Sequence, residues 1–175
     1  MRKFTVFVLC LLVVAPLSAQ KNKRDPLTPA QQDQIAEAGD TPFARLNLYV
    51  KFLNEHADTI QGLTRRAHSA AWVHRMDDEL NDFANLMDEL SENLDLYADR
   101  KADIRKSMKD MNESIDRWQT MLKSIGKQTG FETSLEDATD SCNDLATQAK
   151  KVTDDQETYF KAHPDEKGQD RAEPK

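Results

Sequence analysis

Glycine and proline are scarce in this 175-residue chain, at five and six residues. Together they fall well below the roughly 12% usual for globular proteins, which excludes a collagen-like chain and argues against a turn-rich β-sandwich. Aromatic residues make up only 7%, thin for an enzyme pocket or a β-rich core. The motifs GxSxG, HExxH, GxGxxG, CxxC and the Walker glycine–lysine loop are all missing. Their absence removes the usual hydrolase, zinc, dinucleotide, redox and nucleotide readings. The chain is therefore expected to be no enzyme and to carry no cofactor. A CxxCH motif for covalent haem is missing too.

What is present begins with an address. Arg2 and Lys3 precede an apolar run from Phe4 to Ala15, Pro16 breaks it, and Leu17-Ser18-Ala19 follows. This reads as a secretory signal over 1–19, cleaved after Ala19. The run is too short to span ~30 Å of hydrocarbon. The expected location is the periplasm or the extracellular space, with no stable membrane insertion after cleavage. Losing Arg2 and Lys3 makes a net charge of −7 more acidic still. Such a chain is a poor partner for nucleic acid, where affinity rests on neutralising phosphates. Cys142 alone remains outside the signal, so no internal disulfide can form. It is expected in the core as a small apolar residue.

Residues 20–161 read as one helical domain and 162–175 as a disordered tail, since the tail has two prolines and almost no apolar content. No proline lies between Pro42 and Pro164. Thr28-Pro29 gives a start signal for a short N-terminal helix, with Gln31 three residues past the cap and Gly39 as its stop. Thr41-Pro42 repeats the start.

Four apolar stripes follow at alternating three- and four-residue spacing. They run from Phe43 through Leu46, Val50, Leu53 and Ile60 to Ala67, and from Val73 through Leu80 and Met87 to Tyr97. The others run from Ile104 through Met111 and Trp118 to Ile125, and from Leu135 through Cys142 and Val152 to Tyr159. Each predicts a helix ~40 Å long, and equal lengths suit an antiparallel four-helix bundle. The alternative is an extended helical hairpin around one long helix over 73–125. Asp77 to Asp99 holds nine acidic and no basic residues, whereas Arg100 to Lys127 holds eight basic and four acidic. That change of sign at Lys101, the one misfit in the stripe, favours a hairpin of two attracting arms, with Asp99 capping the second. Small flanking residues such as Ala84, Ser91, Ser107 and Ser114 also suit a bundle, which buries those positions.

Candidate sites are few. The four histidines are His56, His68, His74 and His163. No Glu-x-x-His pair of the di-metal bundle type exists, and His74 with Asp78 is the single i,i+4 pair that could take a metal. A metal-binding bundle is thus a second alternative. His56 is expected to be partly buried and hydrogen-bonded. Met108 and Met111 lie on a stripe, where methionine fills gaps. Off the stripes, Phe52 and Leu96 are the apolar candidates for an interaction surface, and Asp77, Asp78, Asp88 and Glu89 form an acidic face.

Leu27-Thr28-Pro29-Ala30-Gln31 resembles the LTxxQ motif of small helical periplasmic stress proteins, the Spy/CpxP-type chaperones. The resemblance covers five residues and implies ATP-independent binding of unfolded chains by a helical cradle. The residues themselves point instead to an exported interaction or structural module that acts on a protein partner through its surface.

Overall fold

The computed structural model describes residues 24–65, 69–126 and 129–169, so the signal segment 1–19 and its cleavage point lie outside it, as do Ala67, His68 and tail residues 170–175. Five helices carry the described chain: α1 (Pro29–Ala38), α2 (Pro42–Thr64), α3 (Ala70–Asp99), α4 (Arg105–Ser124) and α5 (Glu132–Ala162). A 3-10 turn, Pro164–Glu166, follows. Among the described residues there is no strand.

Local chemistry explains the boundaries. Thr28 and Gln31 close a reciprocal capping box at the start of α1, with Pro29 at the first helical position. Gly39 ends α1 at φ 55, a conformation that costs glycine little. Ser69 caps α3 by accepting from the Trp72 amide at 3.2 Å.

Lys101, the misfit in the stripe, has φ 56. The Ala102 amide donates to the Tyr97 carbonyl and the Lys101 amide to the Ala98 carbonyl, each at 3.1 Å. This is a Schellman ending with lysine in the place glycine usually takes, and buried Ala102 and Tyr97 supply its apolar contact. The alternative of one helix over 73–125 is therefore not what the chain does. Asp99 is not a cap but the last residue of α3. The acid beside the start of α4 is Asp103, which accepts from Arg105 at 2.6 and 2.8 Å and from the Gly168 amide at 2.8 Å.

Four of the helices touch in a closed cycle: α2 on α3, α3 on α5, α5 on α4 and α4 on α2, while α1 touches α2 alone. Residue pairings give their directions. Arg45 to Asn93 and Trp72 to the Leu63 carbonyl set α2 and α3 antiparallel. Ile104 with Gln156 and Gln119 with Asn143 do the same for α4 and α5. Asn81 with Ser134 and Ser91 with Gln148 make α3 and α5 parallel.

The expected hairpin of α3 against α4 is thus corrected. These consecutive helices have no close backbone approach, because residues 100–104 carry the chain diagonally across the end of the molecule. They meet through side chains at the centre. Among the described residues, the acidic helix is joined to α5 by amides and hydroxyls and by the Asp77 carboxylate on Ser134.

Most stripe positions are buried, including Leu46, Leu53, Met76, Phe83, Met111, Trp118, Cys142 and Leu145. Three assignments change. Phe52, expected to be exposed, is 1% exposed, whereas Phe43, expected in the core, is 37% exposed. At the end of α5, Phe160 is buried in place of Tyr159. The reason for Phe52 is that α2 has three neighbours, so its buried arc is wider than a single two-position seam and also takes in Tyr49.

Helix continues to Ala162, and the chain then folds back so that the Asp103 amide donates to the Gln169 carbonyl at 3.1 Å. His163 stacks on Tyr159 at 4.3 Å between ring centroids. Polar contacts thus join residues 168 and 169 to the α3–α4 turn.

Candidate functional site

Two of the concavities on the described surface bear on function. The larger is an open groove of about 780 Å³ between α2 and α4. At its base, Trp118 Nε1 donates to Asn54 Oδ1 at 3.0 Å. Asp58, Asp116, Arg117 and Thr120 line its walls alongside Ala57 and Met121.

The second is an open pocket of about 390 Å³ where the segment before α1 crosses α2 and α3. Its chemistry centres on His56. Nδ1 lies 3.0 Å from Glu79 Oε2, and Nε2 lies 3.1 Å from the Pro26 carbonyl oxygen. Burial alone would lower the His56 pKa; the hydrogen bond and charge of Glu79, helped by the Pro26 carbonyl and Asp82, raise it above its ordinary 6.5. The His56 hydrogen bond in turn holds Glu79 below its usual range, against burial. Asp82 is pushed up by burial, partly offset by Arg24 and His56. Arg24 reaches Asp82 at 3.1 Å and Asp78 at 3.6 Å. The contact with Asp82 is an ion pair without hydrogen-bond geometry, since that carboxylate oxygen has no hydrogen-bond partner.

The residues singled out from sequence scatter. Phe52 is core. The Asp77 carboxylate accepts from Ser134 of α5 and so works inside the fold. Asp78 is paired with Arg24. Glu89 is half-buried and its charge acts on Tyr49. Asp88 is exposed, and Leu96 is 41% exposed. These two stand eight residues apart on α3, about 12 Å along its axis, and neither lines the α2–α4 groove.

His56 is partly buried and hydrogen-bonded, as its position beside the first stripe predicts. Sequence reasoning missed Arg24, Pro26, Glu79 and Asp82 as its company. The spacing of Glu79 and Asp82, three apart on one helix face, was the available signal. Among the described residues no three His, Cys, Asp or Glu side chains converge as a metal-ligating group. No described helix is long and apolar enough to cross a membrane. The Leu27–Gln31 motif is accounted for locally: Leu27 is buried, and Thr28 and Gln31 are the capping box of α1. No family model, curated protein or solved structure matches the chain.

Proposed function

We propose that the protein is an exported, non-enzymatic helical module, its helices α2–α5 forming a four-helix bundle, that acts on a protein partner through its surface. Export rests on the pattern from Arg2 to Ala19. The observation that carries the surface reading is the α2–α4 groove. It is an open concavity of about 780 Å³ between two helices, and charged and neutral polar groups line it beside a few apolar ones. Such a lining suits a polar segment of another chain better than a reacting small molecule. The displaced titratable groups around His56, by contrast, are engaged in holding the chain to itself.

The test is an aggregation assay with an unfolded client at equimolar ratio, without ATP. The surface-module reading expects the time course of aggregation to be unchanged. Strong suppression would replace it with the holdase reading that the Leu27–Gln31 resemblance implies. A photo-crosslinker at Thr120 in the groove, expressed in the native host, should give a discrete adduct that is lost on Arg117→Glu.

A further inference from the structure

We propose that residues 24–38, the stretch Arg24–Leu27 together with α1, form a strap latched onto α2 and α3 through the His56 imidazolium, and that the strap detaches when His56 loses its proton. Geometry carries this. Both ring nitrogens of His56 face acceptors, the Glu79 carboxylate at 3.0 Å and the Pro26 carbonyl at 3.1 Å. A neutral imidazole offers one N–H and one lone pair; only the doubly protonated ring donates to both. When the proton leaves, the remaining N–H stays with the charged acceptor, since such bonds are the stronger. The lone pair then faces the Pro26 carbonyl, and the strap loses that anchor.

The strap moves as one piece. Asp25 accepts from the Leu27 amide at 2.9 Å and from the Gln32 side chain at 2.5 Å, and the Thr28–Gln31 box joins the segment to α1. Its helix is also the least supported of the five, because α1 touches no helix but α2. Ten residues are too few to persist as a helix alone. Beyond His56, the strap is held by Arg24 on Asp82 and Asp78, by Gln31 on Glu55 at 3.0 Å, and by burial of Pro26, Leu27 and Ile35. Detachment would uncover Leu27, Ile35 and the α2 surface beneath them, giving an apolar patch the closed form hides.

The charged groups around the latch set its direction. Glu79, Asp82, Asp78 and Arg75 come from α3, Glu55 from α2, and Arg24 and Asp25 from the strap. His56 is raised, so its contribution is complete below its unfolded value of about 6.5 and is lost as pH rises through the folded value. Glu79 is lowered, so its contribution holds above its ordinary 4.5 and is lost as pH falls through the lowered value. Asp82 is raised, so its contribution is complete below its ordinary 3.8 and is lost as pH rises through its folded value, a window that opens below that of His56. The latch is tightest in mild acid and opens in the alkaline direction.

The experiment is an NMR titration of the full chain from pH 5 to 9.5. It follows the assigned His56 ring signals together with amide protection of residues 27–38, corrected for the intrinsic exchange rate. Strap protection should fall about tenfold per pH unit between the unfolded and folded His56 values, while Leu145 and Val152 of α5 stay protected. His56→Gln should abolish the pH dependence of strap protection. Arg24→Gln, which leaves His56 in place, should lower protection at every pH and keep the slope. The proposal is overturned if strap protection is flat across the range, if the strap is as strongly protected as α5 at every pH, or if the slope survives in His56→Gln.

Discussion

Phe83 of α3 and Trp118 of α4 meet edge to face with ring centroids 5.8 Å apart, joining two consecutive helices whose backbones never come close. Trp118 is thus bonded on two sides, to Phe83 through its ring and to Asn54 of α2 through its N–H at 3.0 Å. Trp118→Ala should cost about 3–5 kcal/mol. Trp118→Phe should cost less, about 1–3 kcal/mol, chiefly by leaving Asn54 without its donor. Urea midpoints at constant m-value would show both. Equal losses for the two would mean that the indole N–H, and not the packing, carries the contact.

Gln156 is buried, and its side chain closes the α3–α4 turn. Nε2 donates to the Ala102 carbonyl at 3.0 Å, and Oε1 accepts from the Ile104 amide at 3.2 Å. Gln156→Leu keeps the bulk but strands both backbone groups, at about 1–3 kcal/mol each. The expected result is a destabilised protein in which amides of residues 100–104 exchange ahead of those in α5. Unchanged stability would mean that water reaches the turn.

Lys101 holds a left-handed conformation at φ 56, which disfavours a side chain by about 1–2 kcal/mol. Lys101→Gly should therefore raise stability, by about 0.5–1 kcal/mol once the freer unfolded chain is counted. The contact of Lys101 Nζ with the Tyr159 ring, 5.7 Å from its centroid, is the competing term. A lower melting temperature for Lys101→Gly would show that this contact outweighs the backbone strain.

Cys142 is fully buried, and burial pushes its thiol up to about 12. At pH 8 a thiol reagent should label the native protein far more slowly than the denatured one. Cys142→Ser should cost about 1–3 kcal/mol by burying a hydroxyl. Rapid native labelling would place the sulfur at the surface.

Helical content, the starts at Pro29 and Pro42, the break at Lys101 and most of the core were legible in the chain. They depend on interactions within a few residues: a Thr-Pro-x-Gln cap, a three-four apolar spacing, one residue out of phase. Which helices would be neighbours was not legible. Opposite charge on successive segments pointed to α3 beside α4, but exposed charges are screened and attract weakly. The contacts of Asn81 with Ser134 and of Ser91 with Gln148 put α5 there instead. Phe43 and Phe52 show the same limit on a smaller scale. Their spacing alone assigned one to the core and the other to the surface, and the reverse holds because α1 and α4 both lie on α2. The His56 latch joins residues 24, 26, 56, 79 and 82, and only the tertiary structure could bring those together. A local pattern specifies a helix and the face it buries; which surface covers that face depends on contacts between residues far apart in the chain.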